Sequence, residues 1–445
     1  MTTDPTKRRL ITLEQGISTL LSYMFSGTLG PTEGKGVSYS VLSESENYFS
    51  FIAALEDKEK TAKPIHRYHV TIDRISGNVQ PPQLISLSTI DLADVIVKAT
   101  GHHLATSTRF TDGALSISYK VSVQEDPDIE YVVQLRHHGD VTSMNAVMQL
   151  VSSTVDVKLL PVPAVYPVKG KKQREVHPGM GIQIARFIPG IMGHASYPSM
   201  NHQEKLVLVM NLARAFNALW QIAPPAEGLI GELKAHNTGR QIELSVGPDR
   251  YHSLGGPFSS VAAYLRASIR AALSAFQKQQ GIEEYKSRYL QRVTEFVEAG
   301  MLSIPAVVEQ IPIVVVHEDM GLHNVIVSAA DPTHIVAIID WEFCSVTPYA
   351  SLFPVIEKLF RKPAANGFGA EYPYADELRN AFWGTIPDWE QWNKNEATMA
   401  FLEWFRFAKF MKAEWRPDSL EGEEKEAYWA ENVKVVEDFL AKYHS

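Results

Sequence analysis

The chain of 445 residues contains very little cysteine. Its single cysteine, Cys344, has no second thiol in the sequence to pair with, so an intrachain disulfide is excluded. The local sequence places no base beside this thiol, so we do not expect it to act as a nucleophile. Residues 1–9 lack the apolar core of a signal peptide, and no run approaches the ~18 apolar residues of a membrane span. We therefore expect a cytoplasmic protein without membrane contact.

Positive charge and metal-binding histidine patterns are also scarce. The net charge is -9 and the pI is about 5.9, which argues against general nucleic-acid binding. The cluster at 171–174 is too short to reverse that balance. His102, His103, His236 and His252 do not share a helix face in zinc-binding spacing, so we interpret them as ordinary histidines. With 45% hydrophobic residues, the chain has enough apolar surface for sizeable cores.

Two short β-branched runs enclose a polar loop in the second half of the chain. Residues 314–316 are predicted to enter this loop as a buried strand, and residues 325–327 to leave it as a second strand. Asp319 and Asn324 therefore lie at the two ends of the loop. A turn at 329–333 precedes a third apolar run, which can pair back on the second strand. That hairpin would return Asp340 to the end occupied by Asn324.

These three residues are the oxygen donors that phosphoryl transfer requires. A carboxylate beside the acceptor hydroxyl and two oxygen ligands for magnesium are sufficient, because the reaction depends mainly on positioning and charge neutralisation. Asp319 matches the first role, and Asn324 with Asp340 match the second. A phosphotransferase is the leading interpretation. The alternative is a turn that only connects two strands.

The motifs themselves resemble a known family. His317-x-Asp319 with Asn324, followed by Ile339-Asp340-Trp341-Glu342, looks like the aminoglycoside phosphotransferase and choline kinase family, most of all its fungal branch. The resemblance implies a catalytic lobe similar to that of protein kinases, with ATP and Mg2+ as cofactors. It implies that Asp319 is the catalytic base, that Asn324 and Asp340 are metal ligands, and that His317 is a scaffold for the loop.

Upstream stretches extend the resemblance to roughly residues 88–360. Residues 88–98 are predicted to form a helix that closes at Thr100-Gly101. A glycine turn containing Gly113 and Ala114 then enters an alternating strand, and residues 131–136 form its hairpin partner. This segment resembles the family's phosphate-covering loop, where glycine would let backbone N–H groups approach the nucleotide phosphates.

The predicted phosphate site departs from the family pattern at one position. Where the family usually has lysine on the second strand, this chain has Gln134. Arg136 lies on the same face by strand alternation, so it is a candidate substitute cation. The alternative is that Arg136 is solvated and nucleotide binding is weakened or lost. The helix at 144–152 carries Asn145 and Gln149 where the usual glutamate partner is not evident, so a pseudokinase stays open.

The strand at 181–190 ends in Pro-Gly and resembles the strand that leads into the linker between kinase lobes. By that resemblance, main-chain groups of Arg186, Phe187 and Ile188 would contact adenine. The alternative is an interior strand with a Pro-Gly stop, and the two interpretations are compatible.

The two ends of the chain lie outside the core of the resemblance. Residues 1–85 predict one helix, opened by a capping box at Thr12 and ending near Phe25, against three strands at 37–42, 48–55 and 66–72. This part has three candidate roles: packing on the small lobe, shielding the nucleotide cleft, and forming a homo-oligomer. The C-terminal hundred residues are predicted to be helical, with tryptophans that we assign to the core rather than to an acceptor pocket.

Taken together, the sequence predicts an α+β fold of the bilobal protein-kinase-like type. The predicted parts are an extra N-terminal α+β domain at 1–85, a small β-rich lobe at 86–188 and a larger, mainly helical lobe at 189–445. The predicted function is a magnesium-dependent kinase that phosphorylates a hydroxyl of a small molecule. The alternatives are a catalytically silent protein that binds a ligand or partner, and a non-kinase transfer on the same scaffold.

Overall fold

The chain folds into two compact units in the computed structural model. One unit comprises Met1–Asn145 and Ala164–Phe187, and the other comprises Ala146–Pro163 and Ile188–Ser445. The residues that the structure describes are 13–25, 35–44, 48–57, 67–74, 76, 78–80, 83–110, 116–136, 141–168, 181–237, 241–250, 252–279, 282–298, 303–363, 369–411 and 422–443. The division at 85 and 188 stays a prediction.

The first unit begins with a helix and an antiparallel sheet. The elements are α1 (Leu13–Phe25), β1 (Lys35–Glu44), β2 (Tyr48–Asp57), β3 (Arg67–Asp73) and β4 (Gln83–Leu84). The strands pair in chain order. Phe49, Phe51, Val70 and Ile72 are fully buried with Leu20 of the helix, so this sheet has an apolar core of its own. The predicted helix and three strands are confirmed, and Thr12 lies outside the described residues.

The second sheet of this unit carries the predicted phosphate-binding hairpin. Its elements are α2 (Thr89–Thr100), β5 (Leu104–Arg109), β6 (Ile117–Val123), β7 (Glu130–Arg136) and β8 (Gly181–Arg186). The helix α3 (Val141–Thr154) follows β7 in the chain and belongs to this unit only as far as Asn145. The strands pair in the order β5-β6-β7-β8, all antiparallel. Alternate residues of β6 are buried because every second side chain faces α2. The predicted α2 is confirmed, with a capping box at Ser88 and a left-handed cap at Gly101.

The second unit is mainly helical around two small sheets. Its elements are β9 (Ile191–Met192), α4 (Gly193–Ser196), α5 (His202–Trp220), β10 (Gly231–Asn237), β11 (Ile242–Gly247), α6 (Val261–Lys278), α7 (Glu283–Glu298), β12 (Ile313–His317), β13 (Val325–Val327), β14 (Ile335–Ile338), β15 (Cys344–Pro348), α8 (Phe353–Glu357), α9 (Ala375–Gly384), α10 (Pro387–Asn393), α11 (Glu396–Met411) and α12 (Gly422–Tyr443). The sheets have the orders β11-β10-β15-β12 and β14-β13-β9. The mixed helix and strand content makes the chain an α+β protein.

Aromatic packing dominates the C-terminal helices, as predicted. Trp404 is fully buried, Trp389 is 8% exposed, and Trp404 meets Phe439 edge-on. The assignment to the core is therefore confirmed for Trp389 and Trp404, whereas Trp383 and Trp392 are half-buried. The side chains of Trp415 and Trp429 lie outside the described residues. Within the described part of the chain, no helix combines the length and apolar character that a membrane crossing requires.

Candidate phosphotransfer site

The catalytic loop, defined here as residues 318–324, starts from a fully buried strand. The side chains of Val314, Val315 and Val316 are buried, and β12 pairs with β15 along its whole length. The backbone N–H of Glu318 continues this ladder by donating to the carbonyl of Phe343 at 2.8 Å. The β-branched run therefore fixes where the loop begins. A single turn of 3-10 helix, Leu322–Asn324, ends it.

The hairpin that follows the loop forms as predicted. β13 and β14 are antiparallel, and Val325 lies opposite Ile338. One step further, the N–H of Ile339 donates to the carbonyl of Asn324 at 2.9 Å. Asp340 is the next residue, so the hairpin returns it to the end of the sheet where the loop ends.

His317 ties the two segments together through a fixed tautomer. Its Nε2 lies 3.0 Å from the carbonyl oxygen of Ile339, which can only accept, so this nitrogen carries the proton. Its Nδ1 accepts from the backbone N–H of Asp319 at 3.3 Å and therefore carries a lone pair. The ring is fully buried, and this burial lowers the pKa of His317. A neutral imidazole therefore connects the start of the loop to the segment that carries Asp340.

Both carboxylate oxygens of Asp319 have partners from the same loop. Oδ1 accepts from Nε2 of His323 at 2.9 Å, and Oδ2 accepts from Nδ2 of Asn324 at 3.0 Å. Burial raises the pKa of Asp319. The hydrogen bond and charge of His323, with smaller contributions from His317 and Asn324, lower it by more than burial raises it. The net effect is a pKa below the ordinary aspartate value, so the carboxylate is ionised at neutral pH.

Gly321 makes room for the His323 ring. A Cβ at position 321 would lie 2.8 Å from Cε1 of His323, closer than real Cβ contacts allow. Any side chain there would displace the ring that reaches Asp319. The signal in the sequence is the Gly321-Leu322-His323 triplet, but a local pattern alone does not predict which atoms the histidine contacts.

Asn324 is oriented so that its carbonyl oxygen faces away from Asp319. Both protons of its amide nitrogen are engaged, one with the backbone carbonyl of Asp319 at 2.9 Å and one with the carboxylate. The residue is only 5% exposed. Among the described residues, nothing donates a hydrogen bond to Oδ1. A buried amide oxygen held in this way suits a hard cation such as Mg2+.

Asp340 has a backbone conformation that is unusual for a residue other than glycine. Its φ is 66°, in the left-handed region, at a cost of about 1–3 kcal/mol that the surroundings must offset. Trp341 supplies that support, because its Nε1 donates to the carbonyl of Ile338 at 2.8 Å and its ring packs edge-on against His317. The turn therefore directs Asp340 off the end of β14 in one fixed direction.

The donor set fits magnesium better than a softer metal. Among the described residues, no group of three or more His, Cys, Asp or Glu side chains could hold a metal ion on its own. One amide oxygen and one carboxylate are a partial set, which Mg2+ typically completes with phosphate oxygens and water. Zinc, in contrast, prefers a closed set of nitrogen and sulfur ligands.

The predicted phosphate-binding residues of the first unit form a buried hydrogen-bonded row. Nη2 of Arg136 donates to Oε1 of Gln134 at 3.2 Å, so the two side chains share one face of β7, as strand alternation predicts. Nε of Arg136 donates to Oε1 of Gln183 at 2.9 Å, and Nε2 of Gln183 donates to Oδ1 of Asn145 at 2.9 Å. Arg136 is 4% exposed. The alternative of a solvated Arg136 is therefore wrong, because the side chain is buried and donates hydrogen bonds to the amides of Gln134 and Gln183.

Gln183 was not singled out from the sequence. The signal was present, since a glutamine within the apolar run of β8 would be buried and would need partners. Gly113 and Ala114, the predicted phosphate loop, lie outside the described residues.

In the predicted adenine segment, the backbone N–H groups of Arg186 and Phe187 are hydrogen-bonded to other strands or loops, whereas that of Ile188 has no backbone acceptor among the described residues. The N–H of Arg186 donates to the carbonyl of Ala164, and the N–H of Phe187 donates to the carbonyl of Glu130. Among the described residues, no backbone carbonyl accepts from the N–H of Ile188. The side chain of Arg186 is also engaged, because its Nη2 donates to the carbonyl of Asp128 at 3.0 Å.

The chain was compared with solved structures, curated proteins and protein families. The chain is similar to the solved AMP-bound structure of spectinomycin phosphotransferase APH(9)-Ia, with 14% identity and a TM-score of 0.46; the match covers 80% of this chain and 99% of that one. It is also similar to the gentamicin complex of APH(2″)-IIa, with 13% identity and a TM-score of 0.45; that match covers 79% of this chain and 96% of the other. No curated protein matches the chain. The sequence model of the phosphotransferase enzyme family, APH, matches residues 106–353, which is more than half of the chain and includes the catalytic loop and Asp340. The chain belongs to the phosphotransferase enzyme family.

Proposed function

We propose that this protein is a small-molecule kinase that transfers the γ-phosphoryl group of ATP to a hydroxyl of a small metabolite, with Mg2+ as the metal. The observation that carries the proposal is the arrangement around Asp319. Its carboxylate is held between His323 and Asn324, and the hairpin bond from Ile339 to Asn324 sets Asp340 at the same end. Those are the oxygen groups that phosphoryl transfer needs.

Asp319 is the group that acts on the acceptor. Each of its oxygens accepts one hydrogen bond, which leaves lone pairs on both for a third donor, the acceptor hydroxyl. As the hydroxyl oxygen bonds to the γ-phosphorus, its proton passes to Asp319 and the bond from the γ-phosphorus to the bridging oxygen breaks, so ADP leaves. The lowered pKa of Asp319 keeps it able to accept a hydrogen bond at neutral pH.

Asn324 and Asp340 are the residues that would hold the metal. Bound Mg2+ neutralises the phosphate charge that builds up during transfer. Because Nδ2 of Asn324 donates both of its hydrogen bonds to Asp319, the side-chain carbonyl oxygen of Asn324 is left to serve as the first metal ligand. The left-handed turn at Asp340, supported by Trp341, directs the second. His317 acts through these residues as a positioning residue, since it joins their two segments.

The nucleotide contacts of this proposal come from the first unit and the residue after it. Backbone groups at Gly113 and Ala114 would cover the phosphates, and Arg136 beside Gln134 would supply the positive charge. The N–H of Ile188 is the donor that we assign to the adenine edge, following Arg186 and Phe187. A bilobal arrangement, with 86–188 as the small lobe, 189–445 as the large lobe and 1–85 as a candidate oligomerisation domain, belongs to the same proposal.

One observation supports a second candidate function. Gln134 occupies the position where the family usually has lysine, and the neighbouring arginine is almost fully buried among amides. A protein that binds a ligand or partner without catalysis would tolerate this arrangement. A nucleotide-independent transfer on the same scaffold would also not need the lysine.

A screen of metabolite alcohols tests the proposed function. The protein is incubated with ATP, Mg2+ and pools of alcohols and amino alcohols, and products are detected by mass spectrometry as the gain of one phosphoryl group. We expect at least one product that requires both ATP and Mg2+ and is lost in Asp319→Asn. Magnesium-dependent ATP binding without any product would favour the silent protein, and product without ATP consumption would favour the other transfer.

A further inference from the structure

The helices of the second unit border a half-open cavity of about 680 Å3 beside α8. Small-molecule sites typically measure roughly 300–1,000 Å3, so the volume suits one metabolite. Asp319, Asn324 and Asp340 do not line it. Instead, α8 stands between the cavity and the catalytic loop. Phe353 of α8 lines the cavity, and Val355 faces Gly321, where a Cβ would lie 3.8 Å from its Cγ1.

The carboxylates of the cavity wall already have cationic partners. Arg379 binds Glu357 and Asp376, each at 3.1 Å, and also contacts Glu371. Two more ion pairs complete the pattern: Arg361 with Glu371 at 3.3 Å, and Lys394 with Glu390 at 3.4 Å. A cationic ligand would therefore have to displace an existing partner.

Arg406 is the cation of the wall that differs. Among the described residues, no carboxylate lies within 4.0 Å of its guanidinium, and its buried Nε has no hydrogen-bond partner. The guanidinium carbon lies 5.1 Å from the ring centroid of Phe353 and 5.8 Å from that of Phe410. Two aromatic rings therefore flank the guanidinium, no carboxylate of the described residues pairs with it, and Arg406 lines the cavity, which suits it to bind an oxyanion.

Aromatic side chains form another part of the lining. Tyr349 and Trp383 meet edge-on with ring centroids 6.2 Å apart. The hydroxyl of Tyr349 is 3.0 Å from Oγ1 of Thr398, so its polar atom is satisfied. Tyr349 is only 1% exposed, so the half-buried Trp383 is the aromatic residue that offers ring surface to the cavity. Flat apolar groups pack well against such walls.

We propose that this cavity binds a small molecule in which an oxyanion, a carboxylate or a phosphate, is attached to an aromatic or apolar body. The oxyanion pairs with Arg406, and the body packs on the exposed part of Trp383. The formal charges of the wall cancel, with four acidic and four basic residues, so the preference for an anion comes from Arg406 rather than from the overall field. The site goes beyond the proposed kinase activity, because it does not include the residues assigned to transfer.

Binding of simple probes tests this proposal. The probes are 3-phenylpropionate, phenyl phosphate and 2-phenylethylamine, which share a ring and differ in the charge and geometry of the head group. Binding is measured by ligand-observed NMR and calorimetry without nucleotide. We expect both anions to bind the wild type more tightly than the amine, and we expect Arg406→Met to lose about tenfold or more in anion affinity. The better of the two anions identifies the head group.

Arg270→Met is the matched control, because Arg270 is exposed on α6 and does not line the cavity. It should bind all probes as the wild type does. The proposal is overturned if the amine binds as well as the anions, if no anion binds at millimolar concentration, or if folded Arg406→Met keeps the anion affinity. Should Arg406→Met fail to fold, Trp383→Leu decides, with weakened anion binding expected and unchanged binding contradicting the site. Since the probes carry no hydroxyl and no ATP is present, failure here leaves the kinase proposal intact.

Discussion

Nε2 of His323 lies 2.9 Å from Oδ1 of Asp319, while Nδ2 of Asn324 lies 3.0 Å from Oδ2 of the same carboxylate. The proposed base is therefore held from both sides by residues four and five positions further along one loop. Gly321 leaves the space in which the His323 ring lies. This relationship makes His323 a positioning residue whose loss should affect the orientation of the base rather than nucleotide binding.

We expect His323→Ala to lower kcat about 10- to 100-fold with little change in the KM for ATP, because a misplaced base costs rate more than affinity. His323→Gln should recover part of the loss, since its amide can still donate to Asp319. Steady-state kinetics on the acceptor from the screen provides the measurement. His334→Ala, in an exposed turn after β13, is the control and should keep full activity. Equal kcat in wild type and His323→Ala would contradict the positioning role.

The lowered pKa of Asp319 makes its contribution to stability depend on pH. Burial raises this pKa, but the hydrogen bond and charge of His323, together with the contributions of His317 and Asn324, outweigh that effect. A carboxyl whose pKa is lowered by folding stabilises the fold above its unfolded pKa of about 3.9, and the stabilisation is lost as the pH falls through the folded pKa. Below about pH 4, we therefore expect the wild type to lose unfolding free energy relative to Asp319→Asn. Urea unfolding at several pH values measures it, and a difference independent of pH would contradict the assigned shift.

Gly193 should be intolerant of a side chain because α4 packs directly on the catalytic loop. A Cβ there would lie 2.9 Å from the carbonyl oxygen of Leu322 and 3.3 Å from that of Val325. Gly193→Ala therefore pushes on the backbone next to Asn324. We expect a loss of about 1–3 kcal/mol in unfolding free energy and a lower kcat. Gly384→Ala is the control, since a Cβ at the end of α9 meets nothing within 4 Å. Thermal unfolding and activity that match this control would show that the loop tolerates the displacement.

Arg136 links stability of the first unit to nucleotide affinity. Arg136→Met removes the donor to Oε1 of Gln183, so we expect unfolding free energy to fall by about 1–3 kcal/mol. Under the proposed function, ATP affinity should fall as well. Lys434→Met removes an exposed charge from α12 and should change neither quantity. A folded Arg136→Met that binds ATP like the wild type would remove Arg136 from the nucleotide site and leave it a structural role.

Local sequence patterns sufficed to predict the elements that carry the site. β12, β13 and β14 are β-branched runs bounded by turn residues, and the pairing of β13 with β14 follows from the short turn between them. The capping box at Ser88 and the helix it opens were equally local. The position of Asp340 beside Asn324 followed from that hairpin alone.

Contacts between distant residues could not be predicted in the same way. Arg136 and Gln183 are 47 positions apart, and the sheet order that joins them depends on β7 pairing with β8 across α3. The sequence therefore left the burial of Arg136 open. The positive φ of Asp340 likewise depends on Trp341 packing against His317, which is a tertiary contact.

Magnesium-dependent ATP binding is the sharpest test of the proposed metal site, because it examines Asp340 without requiring the acceptor. Calorimetric titration of ATP is done with excess Mg2+ and with a chelator, on the wild type, on Asp340→Ala and on Asp438→Ala, whose carboxylate is exposed on α12. We predict that Mg2+ tightens ATP binding about tenfold or more in the wild type and in Asp438→Ala, and that Asp340→Ala loses this gain. Equal affinity with and without Mg2+ in the wild type, or a full gain in Asp340→Ala, would contradict the account.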